Sequence, residues 1–329
     1  MLNIVQLGLG PIGQQLTQYL SERQGIKIVG AVDPDPEIAG TDLGTHASLS
    51  AIGVEIVPQL DAVPEIQKAD VAVISTLSSL EKVAPQLIEA VNEGLDIVSS
   101  CEELSHPWHT QPELASRIDD HCTEQGVSCL GTGVNPGFLM DYLPSVLTSV
   151  CQQVDRIKVE RVQDAEPRRK PFREKIGVGL TESEFQQKRD SIRHVGLEES
   201  VYMVADAMNW KLDKVCETLF PVIAESELKN DTLNVSKGEI AGVQQVARGY
   251  LGDDEVITLV FKAAVGIEQS HDTINVVGTP HFTSTIDGGI NGDIATSAII
   301  VNALKAIRGA GPGLKTMLDV QAPAYFSEI

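Results

Sequence analysis

Along the first 130 residues, short apolar runs alternate with amphipathic stretches. Ile4-Val5-Gln6-Leu7, 26–32, 70–75, 95–98 and 127–130 have strand length and almost no polar face, as strands covered on both sides require. Between them, 14–23 places Leu16, Tyr19 and Leu20 on one helical face with Ile12. The stretch from Leu80 does the same with Val83, Ala84, Leu87, Ile88 and Val91 before Gly94, and 112–125 stops at Gly126. The segment 34–58, turn-rich with Gly40, Gly44 and Gly53, predicts a short helix and a minor strand. This alternation predicts an α/β fold, a doubly wound parallel sheet whose ligands lie beyond the carboxyl ends of the strands.

Past Gly133 the rhythm changes. The stretches 156–162, 242–251, 255–263 and 273–277 alternate with period two and predict a mixed or antiparallel sheet. Leu197, Val201, Val204, Ala205 and Met208 mark a helix among them. A last helix, 293–308, carries Ala295, Ile299, Ile300, Ala303 and Ile307. A long helix after an inserted sheet returns to the first domain. The expected domains are therefore 1–133 completed by 293–329, which binds a dinucleotide, and an α+β domain, 134–292, for substrate and oligomerisation.

The first strand runs straight into Gly8-Leu9-Gly10-Pro11-Ile12-Gly13. In that pattern Gly8 permits a tight turn, Gly10 the approach of a pyrophosphate to backbone, and Gly13 the contact of helix with strand. About twenty residues further on, Asp33 ends the second strand, where an acid hydrogen-bonds the adenosine ribose. With the strand before and the helix after, the reading is a Rossmann-type site. Pro34-Asp35-Pro36-Glu37 supplies no arginine for a 2′-phosphate, which favours NAD(H). Thr45 and His46 leave NADP(H) possible.

A net charge of −21, from 46 acidic and 25 basic residues, argues against nucleic acid or an anionic membrane as a partner. No stretch reads as a signal peptide or a bilayer span, and the five cysteines lack CxxC or zinc spacing. The histidines form no HxxxH or HExxH pair. The expectation is a cytoplasmic protein with reduced thiols and no metal.

Chemistry is expected at three places. Ser75, Thr76 and Leu77 leave one strand, and Ser100-Cys101-Glu102-Glu103-Leu104 leaves the next, where both meet the cofactor crevice. Ser100 and Glu103 have capping-box spacing, an account that leaves Glu102 to serve as a general acid/base or to stabilise a cation. Gly131-Thr-Gly-Val-Asn135-Pro-Gly137 offers the Asn135 amide to a substrate or the nicotinamide carboxamide, or is simply a hinge. Arg161 falls on the apolar face of Ile157 and Val159, so it is a buried ion pair, with Asp164 as a nearby acid, or a binder of anionic substrate. The one basic island, 166–175, is a solvated loop or an anion guide. His194, before a glycine and a helix, is structural on its own pattern.

GLGPIG, SSCEELSHPW, GTGVNPGF, IRHVGLEES and GGINGDIATSAIIVNA together resemble the native amine dehydrogenase and 2,4-diaminopentanoate dehydrogenase family of the dihydrodipicolinate reductase-like group. The resemblance spans nearly the whole chain. It implies a nicotinamide-dependent oxidoreductase, usually a homodimer, that interconverts a primary amine with a small aldehyde or ketone and ammonia. Carried over, the catalytic glutamate is Glu102, and the cleft-lining residues are Asn135, Arg161 and His194. The paired-histidine motif and following lysine of true dihydrodipicolinate reductase are absent. Two other readings are a C=N reductase of the same group that takes a cyclic imine, and a non-catalytic NAD(P) sensor.

Overall fold

In the computed structural model, which describes every residue except 190, 193, 231 and 232, the apolar runs become strands. The first stretch of chain contains β1 (Leu2–Leu7), α1 (Pro11–Ser21), β2 (Ile26–Val32), α2 (Leu43–His46), β3 (Ile56–Val57), β4 (Val71–Ile74), α3 (Leu80–Asn92), β5 (Asp96–Ser99), α4 (Pro112–Gln125) and β6 (Ser128–Gly131). Then follow α5 (Tyr142–Leu147), β7 (Gln153–Asp164), α6 (Lys170–Lys175), α7 (Glu182–Lys188), α8 (Leu197–Ala207), β8 (Lys214–Ile223), β9 (Leu228–Asn230), β10 (Leu233–Val235), β11 (Ile240–Leu251), β12 (Asp254–Ala264), β13 (His271–Thr279) and β14 (Phe282–Asp287). The chain closes with α9 (Gly292–Ile307) and β15 (Gly313–Lys315).

Two compact units result, residues 1–138 with 292–329, and residues 139–291. The first is built on a seven-stranded parallel sheet in the order β15-β6-β5-β4-β1-β2-β3. Its growth reverses between β1 and β4, and the crevice at such a switch point is where α/β sheets hold ligands. Val5, Leu7, Ala72, Ile74 and Ile97 of the strands are buried in one core with Val83, Leu87 and Val91 of α3 and Ile118 of α4. Helix α9 supplies Ile300, Val301, Leu304 and Ile307, all buried, and packs on α1, β5 and β6. Ser297 of α9 donates to the Gln15 side chain of α1 at 3.0 Å. The expected return of the last helix to the parallel sheet is thus met.

The second unit carries a six-stranded sheet, β14-β13-β7-β12-β11-β8, parallel only between β7 and β12. Along β7, Ile157, Val159, Arg161 and Gln163 are buried, while Lys158, Glu160, Val162 and Asp164 stay partly exposed. Helix α8 packs on β8, β11 and β12. Two long strands lie outside the expected list, and they are the two edges. β8 contains Pro221, which demotes a strand in a sequence reading and is tolerated at an edge because no ladder bond is lost. β14, Phe-Thr-Ser-Thr-Ile-Asp, is mostly polar, with Thr283, Thr285 and Asp287 exposed. Among the described residues, no helix is long and apolar enough to cross a membrane.

Candidate active site

The glycine turn sits at the switch point between β1 and β4. Gly8 has φ +86°, and a Cβ there would lie 2.7 Å from the Ser75 carbonyl oxygen, so β4 and the turn meet backbone to backbone. A Cβ at Gly13 would collide with the Gly8 carbonyl, which makes glycine obligatory where α1 leaves the sheet. Gly10, the residue before α1, faces open space. The first amides of a helix have no acceptor inside it, and Pro11 has no N–H, so Ile12 and Gly13 offer theirs to a ligand. This is the room and polarity a diphosphate needs, and the group fits.

A layer of polar side chains beneath the turn fixes its shape. Gln6, wholly buried inside β1, donates to the Gly13 carbonyl at 2.6 Å, and Thr17 donates to Gln6 Oε1 at 2.9 Å and to the Gly13 carbonyl at 3.0 Å. Ser75 Oγ donates to the Gly8 carbonyl at 3.0 Å. The Leu9 peptide is held on both sides: its N–H donates to Asp33 Oδ2 at 2.8 Å, and its carbonyl accepts from His46 Nε2 at 2.9 Å. Asp33 Oδ1 also accepts from the Asp35 N–H at 3.0 Å, so the acid is oriented by backbone at the end of β2. Gln6 and Thr17 were not singled out as site residues from the sequence, and His46, expected only as a group able to turn toward a 2′-phosphate, holds the Leu9 carbonyl. The available signal was a lone amide in the apolar run Ile4-Val5-Gln6-Leu7.

The other expected residues of this unit divide by what their side chains do. Thr76 donates to Gln86 Oε1 of α3 at 2.6 Å, and Leu77 is exposed. Cys101 donates to the Ser78 carbonyl at 3.2 Å, and burial pushes its thiol up to about 12, so it remains protonated and unreactive. Glu102 opens the 3-10 turn Glu102–Leu104 just past β5 and is partly exposed. Ser100 and Glu103 do not close a capping box on that turn. Glu103 reaches across to α3 instead, accepting from the Leu80 N–H at 2.8 Å and from Gln111 Nε2 at 2.9 Å, while its own N–H donates to the Ser78 carbonyl at 3.2 Å. The turn that carries Glu102 is thereby tied to the loop after β4.

From the other side, Gly131 at the end of β6 presses on the same turn. A Cβ there would stand 2.5 Å from the Leu104 carbonyl carbon. Three residues further, the Val134 N–H donates to Thr296 Oγ1 of α9 at 3.4 Å, and the neighbouring Asn135 is 8% exposed.

Within the second unit, Arg161 and His194 occupy one face of the mixed sheet. Arg161 is 2% exposed; its Nη1 donates to Asp272 Oδ1 at 2.9 Å and its Nη2 to the Ile290 carbonyl at 2.8 Å. Asp272 Oδ2 accepts from the Ile290 N–H at 2.8 Å. Burial pulls the arginine down to about 10 and pushes the aspartate up, the mutual attraction offsetting part of each shift. The partner is Asp272 on β13 and not Asp164, whose Oδ1 accepts from the Glu166 N–H. The His194 ring stacks on Phe261, centroids 4.5 Å apart at 22°. Arg193, in the same motif, lies outside the described residues. In the basic island, Arg168 stacks on Phe172 at 3.9 Å and Lys170 pairs with Glu174 at 3.6 Å.

An open helix start at the switch point of a parallel sheet, with an oriented acid at the end of β2, defines the class of Rossmann-type dinucleotide-binding proteins. Comparison with known proteins narrows it. Residues 138–328 match the 2,4-diaminopentanoate dehydrogenase C-terminal domain. The 2,4-diaminopentanoate dehydrogenase of Acetoanaerobium sticklandii is 32% identical over 333 aligned residues, covering 98% of this chain and 94% of that one. The chain belongs to this family and is an NAD(P)-dependent oxidoreductase acting on CH–NH2 groups. Among solved structures, an amine dehydrogenase from Mycobacterium smegmatis superposes with a TM-score of 0.88 at 20% identity, over 100% of this chain and 98% of that one. GenD2 from gentamicin A biosynthesis, solved with NAD, gives 0.53 at 15%, over 87% of this chain and 72% of that one. At those identities the likeness is one of fold.

Gly13→Ala tests the turn. The new methyl forces α1 off the Gly8 carbonyl, and NADH binding, followed by fluorescence titration, is expected to weaken by roughly ten- to a hundredfold, the equivalent of a 1–3 kcal/mol overpacking strain. Unchanged affinity in a folded variant would remove the turn from the cofactor site.

Proposed function

We propose that the enzyme reductively aminates a small uncharged aldehyde or ketone with ammonia to a primary amine, runs the reverse deamination, and favours NAD(H) over NADP(H). The position of Glu102 carries the reading: it is the third residue past β5 and the first of a turn braced by Glu103 and Gly131, beside the strand ends that flank the glycine turn. The cofactor's diphosphate would lie on Gly8–Gly13 and its adenosine ribose on Asp33. When bound, its nicotinamide supplies or accepts the hydride.

The chain's own share is proton transfer and charge. Ammonia adds to the carbonyl carbon; Glu102 moves one proton from the new C–N group to the oxygen and then delivers a second, taken up from ammonium or solvent, to the resulting hydroxyl, which leaves as water. The iminium that remains is cationic, and the Glu102 carboxylate attracts it while its carbon accepts hydride. Asn135 and His194 are assigned to the substrate, and Asn135, Ser100 and Leu77 to the nicotinamide half. Arg161 is the reason for choosing an uncharged substrate: its charge is matched by Asp272 inside the sheet. The relatives' name specifies a carboxylated amine, so the substrate's charge is the point to measure. A homodimer formed through the second unit belongs to the same reading.

The experiment is NADH oxidation with butanal, 2-butanone, pyruvate and 1-pyrroline, each with and without ammonium chloride, repeated with NADPH. The expected result is ammonium-dependent oxidation with butanal or 2-butanone, less with pyruvate, and a lower KM for NADH than for NADPH. Turnover of 1-pyrroline alone, or NADH binding with no turnover, would overturn it.

A further inference from the structure

Strand register sets five buried side chains side by side across the mixed sheet. Asp272 of β13 is opposite Arg161 of β7, Arg161 opposite Phe261 of β12, Phe261 opposite Gln245 of β11, and Gln245 opposite Leu219 of β8. Directly opposed residues share a face, so these form one row. The charges at one end neutralise each other. At the other end Gln245, 0% exposed, applies both ends of its amide to the main chain of one residue: Oε1 accepts from the His194 N–H and Nε2 donates to the His194 carbonyl, each at 2.8 Å.

A side chain that pairs with a peptide in this way acts as a rung of sheet for a segment that belongs to no strand. The neighbouring rung, Phe261, then receives the imidazole on its ring face. Two adjacent positions of the row thus fix both the backbone and the ring plane of residue 194. We propose that Gln245 is the positioning residue for His194 and, through it, sets affinity for the carbonyl substrate. The chemistry restricts what can stand there. Glutamate lacks the donor, leucine lacks both groups, and asparagine is one methylene short of the same reach.

The inference rests on the reading of His194 as a substrate contact, so the test separates the two. Gln245→Leu, Gln245→Glu, His194→Ala and His194→Ala/Gln245→Leu are compared in the full-length enzyme. The readouts are KM for the best substrate of the carbonyl panel, KM for NADH, and amide hydrogen exchange of residue 194 in the free protein. Each Gln245 variant is expected to raise the carbonyl KM about tenfold, as loss of a buried hydrogen-bonded pair implies. The NADH KM holds, exchange at 194 accelerates, and the double variant is no worse than His194→Ala.

If His194→Ala leaves the carbonyl KM unchanged, the substrate role of His194 falls, and this inference falls with it. If His194→Ala raises KM while the Gln245 variants do not, or if the two effects add in the double variant, only the positioning role is overturned. Gln245→Glu, which keeps the volume and one of the two bonds, covers the case in which the leucine variant does not fold. Exchange at 194 no faster than in the native chain is a second refutation, independent of turnover.

Discussion

Glu102→Gln is expected to cut ammonium-dependent NADH oxidation by about 10²–10⁴-fold, the range over which one positioned acid/base acts, while NADH binding stays as it was. Glutamine has the same shape and keeps a hydrogen-bonding oxygen, but it neither takes a proton from the added nitrogen nor carries charge for the iminium. The loss should fall on kcat, because both functions are exercised only as the bond changes occur. On the proposed reading the diphosphate and the adenosine ribose are held away from this side chain, on the Gly8–Gly13 turn and on Asp33, whose carboxylate is oriented by Leu9 and Asp35. The comparison needs steady-state rates beside a fluorescence titration with NADH. Near-native turnover would take Glu102 out of the mechanism.

Arg161→Ala is the largest expected loss of stability, about 3–5 kcal/mol in denaturant-induced unfolding, the usual result of leaving one member of a buried ion pair behind. Asp272 would then stay in the sheet with the Ile290 N–H but without its cation. Removing both charges as Arg161→Met with Asp272→Leu should recover part of this and no more. The Ile290 peptide uses both residues, its carbonyl accepting from Arg161 and its N–H donating to Asp272, so the double variant strands both groups. An unfolding free energy within about 1 kcal/mol of native for Arg161→Ala, the scale of an ordinary substitution, would mean that the pair is not held as described.

These variants also show where sequence is informative and where it is not. The parallel unit was legible because its signals are local: short, mostly apolar runs for β1, β4, β5 and β6, a period of 3.6 for α3 and α4, and three glycines at fixed offsets. The mixed sheet was legible in its inner strands, where burial alternates along β7 and β13 and apolar residues fill much of β11 and β12. It was illegible at its rims, because β8 carries a proline and β14 a polar face, and both are specified by the neighbour they pair with rather than by their own residues.

The same division runs through the site. Asp33 could be placed by counting from Gly13. Asp272 could not be placed against Arg161, because 111 residues separate them and only the β7–β13 register joins them. Glu103 looked like the cap of its own turn and proved to cap α3, a partner that no local spacing names. Gln6 and Gln245 share one signature, an amide inside an apolar strand. Sequence shows that such a group must find a partner, and only the folded chain shows which one.

The division of the first unit between the two ends of the chain has a consequence for synthesis. β6 receives its outer neighbour from β15, and the face of the sheet over β5 and β6 is covered by α9, so neither is complete before α9 and β15 have been made. Residues 139–291 form a contiguous unit and are free to fold as they emerge. The nascent enzyme therefore spends most of its translation with the nucleotide-binding sheet open on one side, and a chain cut short before α9 would lose that half of the protein first.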